Sequence, residues 1–421
     1  MSQRKRSIMI ISAFILLILL TFHAAHARLQ TQIAEIESDV SDIRGLERLG
    51  ETTLIFLTHE QVKAESAASA DEEPPSDETE RLFAFYLALD LIPPDLDLEA
   101  AYREFYSANI AGYFEFEAGE ITILREPGTQ YAPLTFFERL TYAHEYLHVL
   151  QDQHYDLTQL WERVLASENF DLALATNALV EGDAEAVEWE LLDWLLTRMS
   201  DRQLDYVIRQ AEQVMTVPGT SKQVPAVIEA EFYFPYEQGY AFIDSLVESG
   251  GWERVHQAFT SDPPLSTEQI YHPERYLAGE APIDVSLPDF SEIIGDGHRK
   301  VYDSTVGEFY LRQHLMTNIR QTRATAAASR WGGDRLRIYK NSAADELLWV
   351  WHLVWDGAGD AFEFAGAYRR FLDLRYDRVK ADGRCWSEET THCFARFGET
   401  ETRISMAADR ETALALLDLH D

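Results

Sequence analysis

The chain has 421 residues, 46% of them hydrophobic, which is ample material for a core and enough length for two domains or one large domain with an appendage. Its 72 acidic against 36 basic residues give a formal charge of -36, so its surface repels nucleic acid and anionic lipid and neither is an expected partner. Two cysteines, Cys385 and Cys393, have too few ligands near them for a zinc knuckle; they are expected to close a small hairpin disulfide in an oxidising compartment.

At the N-terminus, Arg4-Lys5-Arg6, an apolar run from Ile8 to Phe22 and the small-x-small sequence Ala25-His26-Ala27 follow the pattern of a signal peptide. The run is short of the roughly 20 residues of a spanning helix, so removal of residues 1–27 is the first expectation and an uncleaved membrane anchor the second. Either places the protein outside the cytoplasm. Residues 28–57 read as a helix followed by a strand from Thr53 to Leu57, and residues 64–80, rich in Ala, Ser, Asp, Glu and Pro, as a flexible acidic loop. Arg81 opens a helical pattern through Leu82, Phe85, Leu87 and Leu89. Ile110 to Leu124 alternates as a hairpin, with Gly112–Phe116 and Glu120–Leu124 on either side of Glu117-Ala118-Gly119.

Thr135-Phe136-Phe137-Glu138 reads as a capping box, so a helix is predicted to start there. Phe136, Phe137, Leu140, Ala143, Leu147 and Leu150 then recur at helical spacing. Within that helix lies His144-Glu145-Tyr146-Leu147-His148, the HExxH unit that builds catalytic zinc sites. Two imidazoles four residues apart project from one helical face and reach a single ion, while Glu145 is placed to act as general base. A second helical pattern runs from about Asp171 to Met199 and contains Glu181-Gly182-Asp183-Ala184-Glu185. Gly182 is out of place in a helix, where glycine costs roughly 1 kcal/mol relative to alanine, and predicts close approach of a neighbouring helix. Glu181 beside it would complete two nitrogens and one carboxylate around Zn2+.

With its HExxH helix and a downstream helical glutamate in the EGDA context, the chain resembles the gluzincins, zinc peptidases of the thermolysin type. The specific part of the likeness covers about Thr135 to Glu185. It implies Zn2+ held by His144, His148 and Glu181, peptide or protein as substrate, and a zinc histidine oriented by the acid four residues after the ligand glutamate. Here that acid is Glu185, where the family more often has Asp. It also implies a strand before the metal helix that pairs with extended substrate, a role for one of the two hairpin strands.

His154 offers a competing third ligand, because it follows His148 at the metzincin interval of six residues. Metzincins break the helix with glycine where this chain has Gln151. On an unbroken helix His154 points roughly 120° away from His148, which favours Glu181. For the donor that stabilises an oxyanion, His272 is the first candidate and Tyr240 the second; His256 and His314 read as ordinary helix-face residues.

After Pro273 the chain is loop-rich to Gly297, then residues 301–328 read as helical, Leu336–Tyr339 and Leu347–Trp355 as strands, and residues 360–376 as helix. Trp349, Trp351 and Trp355 share one strand face and are expected in a core. The predicted architecture is α+β: a mainly helical zincin-like peptidase domain with a small edge β-sheet over residues 28–297, and a C-terminal α+β domain over 298–421. The expected function is an extracytoplasmic zinc metallopeptidase. The alternative is a secreted zinc-binding or interaction protein on the same fold without turnover, against which an intact Glu145 argues.

Overall fold

The computed structural model describes residues 3–70, 76–216, 224–295, 297–341, 343, 346–376 and 381–418, with backbone alone for 3–22, 66–70, 212–216 and 381–382. The chain is α+β, about 59% helical, with two sheets. It divides into two compact units: residues 1–72, 103–160 and 183–222 form the first, and 73–102, 161–182 and 223–421 the second.

The first unit begins with helix α1 (Gln3–Arg44), which runs without a break through Ala27. Leu29, Ile36 and Val40 recur on its buried face. A three-stranded sheet follows, made of β1 (Thr53–Leu57), β2 (Gly112–Glu115) and β3 (Glu120–Leu124) in the order β1-β3-β2. The hairpin forms as its alternation predicts, with Phe114 opposite Ile121. β1 is added parallel to the other side of β3. The acidic segment behaves differently from expectation: helix His59–Ala70 takes its first part and helix Asp77–Ala88 its last, while residues 71–75 fall outside those described. Ser76 caps the second of these helices by accepting from the Thr79 amide at 3.1 Å, so the serine and acids that suggest a loop instead supply a helix N-terminus. Among the described residues no helix is long and apolar enough to cross a membrane, and the run from Ile8 to Phe22 lies where only backbone is described.

Helix α2 (Phe136–Tyr155) begins at the predicted capping box: Thr135 Oγ1 accepts from the Glu138 amide at 3.3 Å and Glu138 Oε2 from the Thr135 amide at 2.7 Å. Arg125 donates to the same carboxylate at 2.8 and 3.1 Å and fixes β3 to the helix start. α2 ends on Asp156 in the left-handed conformation, φ 55°. It packs on α1, whose Glu37 accepts from the Tyr142 hydroxyl at 2.7 Å. Helix α3 (Phe170–Thr197) is continuous across the division between Gly182 and Asp183.

In the second unit helix α4 (Ala226–Gly250) meets α3 at two glycines. A Cβ on Gly182 would lie 2.2 Å from the Gly239 carbonyl carbon, and one on Gly239 the same distance from the Ala178 carbonyl oxygen. The misplaced glycine is therefore explained by backbone-to-backbone contact. A seven-stranded antiparallel sheet completes the unit: β4 (His298–Ser304), β5 (Trp331–Asn341), β6 (Glu346–Trp355), β7 (Ala381–Asp382), β8 (Cys385–Ser387), β9 (Thr391–Phe397) and β10 (Glu401–Ala407), in the order β4-β5-β6-β10-β9-β8-β7. The predicted helix over 301–328 is thus replaced by β4 and two helices, α5 (Gly307–Met316) and Gln321–Ala328; pairing of β4 with β5 overrides the local helical spacing.

Both faces of this sheet are covered. Trp351 packs on His314 of α5 and Trp355 stacks on Phe364 of helix α6 (Ala358–Arg375). Leu348 and Val350 turn the other way, into a cluster with Leu416 and Leu417 of the last helix and with the Cys385–Cys393 disulfide, which joins directly paired residues of β8 and β9. His314, expected on a helix face, is fully buried and bonded to Leu89 O at 2.7 Å.

Asp171, at the start of α3, is fully buried and accepts from the Thr267 amide and hydroxyl. Burial pushes its carboxyl up to about 8, against the Thr267 hydrogen bonds and with help from Asp334, itself raised by burial to about 6. A carboxyl raised on folding holds a proton the unfolded chain has released, so its contribution is full below pH ~3.9 and is lost as pH rises through the folded value. Asp171→Asn is therefore expected to gain stability over wild type as pH increases from 5 to 9, at up to about 1.4 kcal/mol per pH unit until the carboxyl is ionised. Urea unfolding at three pH values checks this; parallel curves for the two proteins would exclude it.

Candidate metal centre

The site grows from two helices. α2 presents His144 and His148 from one face, both buried, with ring centroids 4.9 Å apart and planes at 84°. α3 supplies Glu181, and one ligand atom from each of His144, His148 and Glu181 lies within 4.8 Å of the others. Two nitrogens and a carboxylate oxygen are the donor set that suits zinc and leaves a fourth position open. The residues present fit the ion.

α3 faces the histidines with more than Glu181. Glu188 Oε2 is 3.3 Å from His144 Nδ1, and His144, Glu185 and Glu188 also converge within 4.8 Å. Glu181, Glu185 and Glu188 are four and three residues apart, one stripe of the helix. Glu185, expected to orient a histidine, accepts from Trp189 Nε1 at 2.8 Å and converges with His144 as well, and a further acid beside the His144 ring is Glu188. The helical stripe was the available signal for it.

A second set of polar groups lies behind His148. His148 Nδ1 is 2.8 Å from Gln151 Oε1; Gln151 Nε2 donates to Asp183 Oδ2 at 2.9 Å; Arg44 Nε donates to Asp183 Oδ1 at 2.7 Å and Arg44 Nη2 to the Tyr155 hydroxyl at 3.2 Å. Gln151 and Asp183 have no exposed surface and Arg44 has 2%. Burial alone would lower the Arg44 pKa, but Asp183 and Tyr155 outweigh it and hold the guanidinium charged. In the sequence Gln151 stands out only as a residue that is not glycine, because nothing local announces a partner 32 residues away.

The remaining candidates are placed as follows. Glu145 is buried at 7% exposure on α2. α2 continues as helix through Gln151, and His154 Nε2 lies 2.8 Å from Glu47 O; His154 is not among the converging residues. Tyr240 follows Gly239 on α4. His272 lies between helices Thr267–Tyr271 and Pro273–Leu277, with Nε2 3.0 Å from Glu308 Oε2 of α5. The third converging group among the described residues, Glu268, Glu280 and Asp356, surrounds Arg275, whose guanidinium pairs with all three.

Residues 296–416 match a family model described as a domain of unknown function, DUF8575. No curated protein and no solved structure matches the chain. The matched stretch covers β4 to the last helix and holds none of the converging His144, His148 and Glu181.

Proposed function

We propose that the chain is an extracytoplasmic zinc metallopeptidase of gluzincin type. The observation that carries the reading is the convergence of His144, His148 and Glu181 beside a buried Glu145. His144, His148 and Glu181 would hold zinc, which when bound would polarise a carbonyl and lower the pKa of water toward 7. Glu145 takes the proton from the attacking water on its carboxylate and delivers it to the leaving nitrogen. His272 and then Tyr240 remain the candidates to donate to the developing oxyanion. His272 Nε2 lies 3.0 Å from Glu308 Oε2, a carboxylate that would orient the ring.

Substrate binding falls to an open sheet edge. β3 is paired on both sides, which rules out one of the two hairpin strands, whereas β2 pairs on one side only. A Cβ at Gly112 of β2 would lie 2.9 Å from Thr141 Cγ2, so the strand abuts α2 three residues before His144, on the histidine face. An extended peptide adding to β2 would run beside the site. The disulfide between β8 and β9 supports an oxidising compartment.

Zinc analysis of purified protein, with casein digestion in the presence and absence of chelator, tests the reading: about one zinc per chain and chelator-sensitive cleavage are expected. Glu181→Ala should lower zinc content and activity together, while His154→Ala leaves zinc content near that of wild type. Loss of metal in the histidine variant with retention in the glutamate variant would reverse the assignment.

A further inference from the structure

We propose that Gln151 and Asp183, anchored by Arg44, are positioning residues that set the tautomer of His148 and so its competence to bind metal; this rests on the metal-centre reading above. At the charged end, the Asp183 carboxylate accepts from Arg44 Nε on one oxygen and from Gln151 Nε2 on the other. A carboxylate paired with a guanidinium offers only acceptors, so the Gln151 amide must turn its NH2 toward Asp183. Its carbonyl oxygen is then the atom 2.8 Å from His148 Nδ1. A carbonyl only accepts, hence Nδ1 carries the hydrogen and the lone pair is on Nε2.

Burial makes this order binding. With Gln151 and Asp183 at 0% exposure, reversing one member leaves two donors or two acceptors face to face, with no bulk water to replace the lost partner. Arg44 comes from α1, so the polarity of an α2 histidine is imposed from a third helix.

The test is a polarity reversal. In Asp183→Asn, Arg44 claims the single amide oxygen, the new NH2 faces Gln151, and Gln151 turns its own NH2 to His148, forcing the lone pair onto Nδ1. In the double variant Gln151→Glu with Asp183→Asn, the carboxylate moves one place along and accepts from both Asn and His148 Nδ1, restoring the original tautomer at unchanged net charge. Histidine-selective 15N NMR of the full chain stripped of metal, with the His148 signals assigned by their loss in His148→Gln, reads the tautomer directly. Zinc titration against a chromophoric chelator reads the affinity.

Wild type is expected to show hydrogen on Nδ1 of His148. Asp183→Asn should switch it and weaken zinc about 10- to 100-fold, and the double variant should recover the tautomer and come back to within a few-fold of wild-type affinity. Hydrogen on Nε2 in wild type, an unshifted tautomer in Asp183→Asn, or a double variant no better than the single one would overturn the proposal; the wild-type spectrum decides it even if a variant does not fold. Failure of wild type to bind zinc would reject the metal-centre reading, while the tautomer signals would still judge the relay.

Discussion

Glu145→Gln is expected to retain zinc and lose peptidase activity by a factor of about 10² to 10⁴, the usual worth of a positioned general base. The substitution keeps the size and most of the hydrogen-bonding capacity of a side chain that is almost wholly buried, so it should fold. Glu145 is not among the converging ligand atoms, and removing its ability to take a proton should leave metal content near wild type. The measurement is zinc stoichiometry alongside initial rates on a peptide substrate. Rates equal to wild type would take Glu145 out of the mechanism, and loss of the metal would make it part of the ligand set.

Gly182→Ala is expected to be strongly destabilising. Its Cβ would sit 2.2 Å from the Gly239 carbonyl carbon and 2.4 Å from the carbonyl oxygen, both backbone atoms of α4 that no rotamer change can withdraw. Overpacking ordinarily costs about 1–3 kcal/mol, and here relief requires the two helices to move apart, which puts the expected loss at or above the upper end of that range. Glu181 is the adjacent residue, so on the proposed reading the displacement would carry its carboxylate away from His144 and His148, and zinc affinity should fall with stability. Thermal unfolding with and without zinc checks both effects. Gly239→Ala, which would meet the Ala178 carbonyl oxygen at 2.2 Å, should behave alike. Wild-type stability in both variants would show that α3 and α4 do not touch at these glycines.

How much of this was legible beforehand follows from the range over which each signal acts. The capping box, the 20-residue α2 and the unbroken passage through Gln151 are local: hydrogen bonds three and four residues apart and the absence of glycine or proline fix them. That local geometry puts His144 and His148 on one face and turns His154 away. The hairpin of β2 and β3, the strands β5 and β6 and the buried tryptophan face were readable for the same reason, since alternation and apolar runs act over a few residues. Gly182 was legible as an anomaly, because glycine within a helix costs stability unless contact requires it.

Pairing across long stretches of chain had no such signature. Helical spacing over 301–328 gave way to β4 because β5, some 30 residues on, supplies its hydrogen bonds. The parallel addition of β1 to β3 decided which strands keep an open edge, and it joins residues 67 positions apart. Identifying Gly239 as the partner of Gly182 needed α4 in place. So did the role of Gln151, which depends on Asp183 from α3 and Arg44 from α1 arriving at one buried point. The sequence by itself determined the helix that carries the histidines and the candidate ligand types, because those rest on backbone periodicity; the tertiary structure alone decided which acid stands by which ring, since a buried polar group takes its partner from whatever element the fold brings against it.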